Sequence, residues 1–210
     1  WGRARWTKSR KRPWPNSWAL KRRAPVRIVG GRNRGRRLIA PKGAATRPTS
    51  DRIREAIFNI LAHGLHLELD GCPVLDLFAG TGALGFEALS RGAGSVQFIE
   101  NSNAAIDLIR ANADALGEDA ITVVRADVRR LGAAPTSDDP AGLAFLDPPY
   151  GAQLIPAALE VLASPNWLAD GAVLVVETSR DEILALPGAF ELLEERNYGA
   201  TKISFARFSA

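Results

Sequence analysis

The chain has 210 residues, 46% of them hydrophobic, with one cysteine, two histidines and a net charge of +4. That length suits one globular domain with an appendage. A single cysteine excludes an internal disulfide, no Cys/His spacing suits a metal, and no apolar run nears the ~20 residues of a membrane span. The charge is lopsided, +17 over residues 1–54 and −13 over residues 55–210, so one end of the molecule is suited to a polyanion.

Residues 1–25 hold nine basic residues, no acid and four of the five tryptophans. Without apolar periodicity they read as a disordered extension. Two explanations stay open: a basic arm whose aromatics stack on RNA, or translated sequence upstream of the true start, the second slightly preferred. The continuous apolar stretch of a secretory signal is missing. From Val26 onward the chain reads as one domain, 26–210. Val26–Val29 and Leu38–Ile39 flank a Gly- and Arg-rich turn, which predicts an N-terminal β-hairpin within residues 26–48. Its Arg32, Arg34, Arg36 and Arg37, with Arg47 and Arg52 behind them, read as RNA-binding, because guanidinium forks match phosphate oxygens. The hairpin is expected beside the mouth of the active site. Next, Thr49 or Ser50 caps a helix and Asp51 suits its positive end. Ile53, Ala56, Ile57, Ile60 and Leu61 face the core at helical spacing, and Arg52, Arg54 and Asn59 are left for ligand or RNA.

The stretch V-L-D-L-F-A-G-T-G-A-L-G-F-E-A-L, Val74 to Leu89, dominates the chain. Its apolar run Val74–Phe78 predicts a buried strand, Gly80-Thr81-Gly82 a turn, and Leu84, Ala88 and Leu89 a helix, the opening unit of a nucleotide-binding α/β fold. Cys72, just before it, reads as a small buried apolar residue. The glycines let a ligand approach the backbone, and the helix start offers free N–H donors. Gly80, Gly82 and Gly85 match G-x-G-x-x-G, which suits either a dinucleotide or S-adenosylmethionine (SAM). Asp76 favours SAM: a carboxylate there repels a pyrophosphate but attracts an ammonium and a sulfonium.

A second strand, Val96–Ile99, ends in Glu100, 20 residues after Gly80 and at the offset where an acid meets ribose hydroxyls. Asn103–Leu116 predicts a helix with Ala105, Ile106, Ile109 and Ala113 on one face. Ile121–Val124 predicts a third strand, and Asp127 after it is either an acceptor for an adenine amine or a solvated loop acid. A Pro-containing polar loop, Ala133–Pro140, leads to a fourth strand, Leu143–Leu146, which ends in Asp147-Pro148-Pro149-Tyr150. Two prolines leave rigid carbonyls that can only accept, Asp147 adds another acceptor, and Tyr150 offers a flat face: a set that suits a planar base with an exocyclic NH₂. A helix over Ile155–Leu162, a strand over Val173–Glu177, and strands Phe190–Tyr198 and Ile203–Phe208 either side of Gly199 complete the pattern. The last two read as an antiparallel edge hairpin. Strands alternating with helices imply a mostly parallel seven-stranded sheet with ligands at the strands' carboxyl ends. Asp76, Glu100, Asp127 and Asp147 all fall at such ends.

With R-I-V-G-G-x-x-R-G-R-R-L, R-P-T-S-D-R-I-R-E-A-I-F-N, L-D-L-F-A-G-T-G-A-L-G-F-E-A-L-S-R-G and D-P-P-Y in place, the chain resembles the RsmD family of bacterial 16S rRNA guanine-N2 methyltransferases from Val26 to Phe208. D-P-P-Y is shared with many amino-methyltransferases; the two N-terminal motifs are more specific. The resemblance implies a Rossmann-like class I SAM-dependent methyltransferase fold. It also implies a cytoplasmic, monomeric enzyme that methylates a guanine amine in 16S rRNA, within an assembling small ribosomal subunit, with no metal and no membrane. Asp147, Pro148, Pro149 and Tyr150 are then catalytic. Asp76, Phe78, Ala79, Gly80, Thr81 and Gly82 would hold the methionine side of SAM, and Glu100, Asn101, Asp127 and Val128 its nucleoside. After Glu100 the chain reads Asn-Ser-Asn where an acid is expected two places on. Rival readings are an adenine-N6 DNA or RNA methyltransferase and a non-catalytic RNA-binding protein. The first normally brings a separate target-recognition region, and the second has no need of Asp147-Pro148-Pro149-Tyr150.

Overall fold

The computed structural model describes residues 26–40, 50–132, 134, 139–149 and 154–210. The extension 1–25, Arg47 and Tyr150 lie outside the described residues. Seven strands form one sheet: β1 (Pro73–Leu77), β2 (Ser95–Glu100), β3 (Ile121–Arg125), β4 (Ala141–Leu146), β5 (Leu168–Ser179), β6 (Phe190–Tyr198) and β7 (Thr201–Phe208). Their spatial order is β3-β2-β1-β4-β5-β7-β6. β1 to β5 are parallel, whereas β7 runs antiparallel to both β5 and β6. The order reverses between β1 and β4, where Leu77 lies level with Leu146. An open α/β sheet splays its crossover connections to opposite faces at such a point and leaves a crevice outside the carboxyl ends.

Side-chain alternation divides the core between the two faces. Val74, Phe98, Phe145, Val175 and Phe205 point to one face, under α1 (Asp51–Asn59), α2 (Ala83–Ser90) and α3 (Asn103–Leu116). Leu75, Leu77, Ile99, Leu146 and Val176 point to the other, under α4 (Leu154–Leu162). α2 lies so close to the sheet that a Cβ on Gly85 would stand 2.8 Å from Val96 Cγ1 and would overlap the Phe98 ring. α1 begins as the sequence predicts, with the Ser50 hydroxyl accepting from the Ile53 N–H at 3.3 Å, and it widens into a π-turn over Ile60–Gly64. β5 is longer than the run Val173–Glu177 suggests. Leu168 pairs with Ala141 and Val173 with Leu143, so the polar Asp170-Gly171 is carried through an irregularity in the ladder. β6 is an edge strand with five exposed residues and a register shift between Leu192 and Glu194.

Arg54 departs from expectation. It is not available to a ligand: it is 1% exposed and donates to Asp51 Oδ1 at 2.7 Å and to the Arg27 carbonyl at 2.6 Å. Burial pulls its pKa below the usual arginine value, against the pull of Asp51 and Glu87. A cation spaced off the apolar stripe reads as exposed; here the N-terminal segment packs over it.

That segment, residues 26–40, is a hairpin reduced to one antiparallel bridge between Arg27 and Arg37, with Val26, Ile28 and Leu38 buried. It docks on the carboxyl ends of α2 and α3. Glu87, fully buried on α2, accepts from Val29 N at 2.7 Å, Gly30 N at 2.8 Å and Arg91 Nε at 2.7 Å. Ser90 Oγ accepts from Asn33 N at 2.9 Å and donates to the Gly30 carbonyl at 2.6 Å. Glu118, just past α3, takes Asn33 Nδ2 at 2.6 Å and an ion pair from Arg32. Helices of such a sheet run back against the strands, so the tip lies toward the end where the strands begin. It does not sit at the mouth beside the glycine turn, because its buried acceptors are at the far ends of the two helices.

Glu87→Ala leaves three donors around a buried hole and should cost about 3–5 kcal/mol. Urea unfolding should show that loss, and amide exchange at Val29 and Gly30 should rise toward that of an undocked hairpin.

Candidate active site

Of the acids singled out at the strand ends, Asp76, Glu100 and Asp147 are neighbours at the reversal point, and Asp127 lies beyond them after β3. Asp76 lies within β1 and is 2% exposed. Its Oδ2 accepts from the Gly85 N–H at 2.9 Å, which ties the strand to the first turn of α2. Between them the chain runs through Phe78 (φ 64°), Gly80 (φ 56°) and Gly82 (φ 76°). Left-handed backbone at a phenylalanine is uncommon and persists only where its surroundings hold it. Here the N–H groups of Phe78 and Ala79 both donate to the Ile99 carbonyl, at 3.0 and 3.3 Å.

The glycines divide the work differently from the sequence expectation. A Cβ on Gly82 would stand 2.6 Å from Phe86 Cε2 and 3.1 Å from Phe98 Cε1, so at Gly82, as at Gly85, the missing side chain is needed for α2 to pack. Gly80 is the open position: among the described residues only the Phe78 carbonyl, 3.9 Å away, is near its hypothetical Cβ.

Glu100, at the end of β2, accepts Gly80 N at Oε2 and the N–H groups of Asn101 and Ser102 at Oε1, each at 2.9 Å. Three backbone donors fix the carboxylate and leave lone pairs for hydroxyl donors. Past β3, Asp127 caps a short 3₁₀ turn (Val128–Arg130) through Arg129 N at 3.0 Å. The Arg129 guanidinium also clasps it, at 3.0 and 2.6 Å, and these bonds lower its pKa to about 2. Val128 is buried beneath this turn. Arg129 is not legible as a partner in the sequence, since an i,i+2 pair is close in space only because the chain turns there. Past β4, Asp147 is half-buried, Pro148 buried and Pro149 exposed.

Asp76 lies close enough to Asp147 and Glu100 to feel both charges. Burial pushes the Asp76 carboxyl well above the usual range, Asp147 and Glu100 push it further, and the Gly85 N–H offsets part of this. Such a cluster favours a cation beside the open Gly80. The ammonium and sulfonium of SAM meet that requirement, and the hydroxyls of its ribose match Glu100. The residues present therefore fit the cofactor.

The arginines of the N-terminal segment also part company. Arg32 and Arg36 hold the hairpin on α3 through Glu118 and the Ala115 carbonyl. Arg34, Arg37 and Arg52 are exposed and carry no partner among the described residues. Asn112, which no motif flags, is fully buried on α3 and bonded to both Ile39 and Thr81. A polar residue between Ile109 and Leu116 on an apolar face is the available signal.

The raised pKa of Asp76 fixes the sign of a pH effect. The folded chain holds the proton more tightly than the unfolded chain, so stability falls as pH rises from the unfolded carboxyl value, near 4, through the raised folded value. Asp76→Asn should flatten that part of the profile in thermal melts and raise Tm at neutral pH, by roughly 2–4 °C per kcal/mol recovered. The same variant should weaken SAM binding in calorimetry.

Comparison with known proteins agrees with this geometry. Residues 26–207 match the family model described as Conserved hypothetical protein 95. The chain is 36% identical over 177 residues to "Ribosomal RNA small subunit methyltransferase D" of Haemophilus influenzae, covering 83% of this chain and 89% of that one. It is 35% identical over 175 residues to the protein of the same name from Escherichia coli K12, covering 83% and 85%. The solved structure of the Escherichia coli protein yhhF superposes with a TM-score of 0.75 at 31% identity, covering 89% of this chain and 99% of that one. The sheet, its reversal point and its glycine turn are those of a Rossmann-like class I methyltransferase, and the chain belongs to the RsmD family.

Proposed function

We propose that this protein transfers a methyl group from SAM to the exocyclic N2 amine of a guanine in small-subunit ribosomal RNA. The observation that carries the reading is the juxtaposition, at one reversal point, of the Asp76–Glu100–Asp147 cluster with Asp147-Pro148-Pro149 at the end of the neighbouring strand. The names of the relatives support the RNA class, and the family resemblance supplies the guanine.

A guanine amine is a weak nucleophile because its lone pair is delocalised into the ring. Asp147 and the Pro148 carbonyl can each accept one of its N–H bonds and so hold the lone pair toward the methyl group. Proline offers no competing N–H at either position, so the turn presents acceptors only. Tyr150 would stack on a base drawn out of its helix. Bound SAM supplies an electrophilic methyl on a sulfonium. Catalysis by the protein is then mainly orientation, and the proton lost from nitrogen passes to Asp147 or to water. Asp76 and the turn Phe78–Gly82 would hold the methionine end, Glu100 and Asn101 the ribose, and Asp127 and Val128 the adenine.

Asp147→Ala should leave SAM affinity within a few-fold of wild type while kcat falls about 10²-fold or more. Calorimetry and methyl incorporation separate the two quantities, and near-wild-type turnover would remove Asp147 from its role. The arginines should separate as well. Arg34→Ala with Arg37→Ala should weaken RNA binding and flatten its salt dependence, by roughly 0.7–0.9 of a log–log unit for each phosphate that is no longer neutralised. Arg32→Ala with Arg36→Ala should instead lower the unfolding midpoint, with a smaller change in salt slope.

A further inference from the structure

Asn112 bridges the two parts of the molecule that the proposed reaction must bring into register. Its carboxamide closes a pair of hydrogen bonds on one residue of the N-terminal segment: Oδ1 accepts Ile39 N at 2.7 Å, and Nδ2 donates to the Ile39 carbonyl at 3.1 Å. The second Nδ2 hydrogen goes to the Thr81 carbonyl at 3.0 Å. The side chain is fully buried, so these bonds have no water to replace them, and its donor capacity is used completely.

Both anchor points are mechanically placed. Thr81 stands between Gly80 and Gly82, which are both left-handed, and glycine flanks leave its peptide planes free to rotate unless something holds them. One end of this turn is held by Glu100 on Gly80 N; at the other, the Thr81–Gly82 peptide is held on its carbonyl by Asn112 and on its N–H by the Ala79 carbonyl at 2.7 Å. Ile39 is 47% exposed and follows Arg36 and Arg37, where the basic segment leaves the hairpin. A shift of the Thr81–Gly82 peptide therefore loads the Ile39 backbone directly through one rigid amide, and the reverse holds equally.

We propose that Asn112 is a positioning residue that links cofactor occupancy of the glycine turn to the setting of the basic N-terminal segment, so that SAM and RNA bind with positive coupling. This rests on the reading of that turn as the SAM site. Linkage makes the effect reciprocal: whatever factor the cofactor adds to RNA affinity, RNA adds to cofactor affinity. The hairpin tip, held independently by Glu87, Ser90 and Glu118, is not moved by this route, so the coupling acts on the Ile39 end alone.

The test uses the full chain, S-adenosylhomocysteine as the unreactive cofactor probe, and unmodified small ribosomal subunits. In the wild type, S-adenosylhomocysteine should tighten subunit binding about five-fold or more, and it should slow amide exchange at Ile39 while leaving Val29 and Gly30 unchanged. In Asn112→Ala, each ligand alone should bind more weakly, because the glycine turn and Ile39 both lose a bond, and the factor between them should fall to about one. A purely structural role for Asn112 would lower stability and both affinities and leave that factor intact, which overturns the proposal. The exchange measurement needs no variant, so a misfolded Asn112→Ala does not rescue the idea: cofactor binding with no protection at Ile39 overturns it. Failure of S-adenosylhomocysteine to bind at all overturns the reading of the turn, and the coupling with it; binding without coupling overturns the coupling alone.

Discussion

One buried hydrogen bond sets the geometry from which the rest follows: the Gly85 N–H to the Asp76 carboxylate. It fixes the first turn of α2 against β1 at a distance that only glycine at positions 82 and 85 permits, because the Phe86 and Phe98 rings fill the remaining space. With both ends of the connection fixed, the five residues between strand and helix have little choice of path. They take it with a phenylalanine in left-handed backbone, and the Ile99 carbonyl holds that strain by accepting from Phe78 and Ala79. A carboxyl group so far from water is costly to ionise, and no cation of the chain itself pairs with it among the described residues. The protein thus carries a standing electrostatic deficit at the place where a cationic ligand fits.

The same helix works at its other end. Glu87 and Ser90 turn the last turn of α2 into a socket for backbone N–H groups of the N-terminal segment, and Glu118 adds an acceptor from α3. The motif G-F-E-A-L-S-R-G is therefore two devices in series on one short helix. Its first glycine serves the glycine turn through close packing, and its glutamate, serine and arginine serve the hairpin. This dual use explains why so short a helix is buried at almost every position.

Much of the fold is legible because apolar periodicity reports burial, and burial is what makes these elements. α3 and β6 fall where the sequence places them, Asn103–Leu116 and Phe190–Tyr198. β5 reads short in the sequence because Asp170 and Gly171 interrupt its apolar run, while the ladder to β4 simply passes over them. The acids at the strand ends are legible as a set because topology alone brings the carboxyl ends of parallel strands together. What escapes is pairing at long range. Arg54 looks solvent-facing by helical spacing, and only the segment folded over it makes it a buried cation. Arg32 and Arg36 look like free phosphate forks, and only the approach of α3 shows their partners. Periodicity describes which side of an element faces inward; it carries no information about what arrives from elsewhere to cover the other side.

That long range has a consequence for how the molecule is made. The partners of Val29, Gly30, Asn33 and Arg32 lie 58, 57, 85 and 86 residues further along the chain. A ribosome adds roughly 5–20 residues per second and releases the N-terminus first. The hairpin therefore emerges several seconds before Glu87 and longer still before Glu118. Through that interval its arginines are uncompensated and its apolar residues Val26, Ile28 and Leu38 have no face to cover. The segment can become native only after α2 and α3 are in place, so a stretch synthesised well ahead of both helices is folded after them.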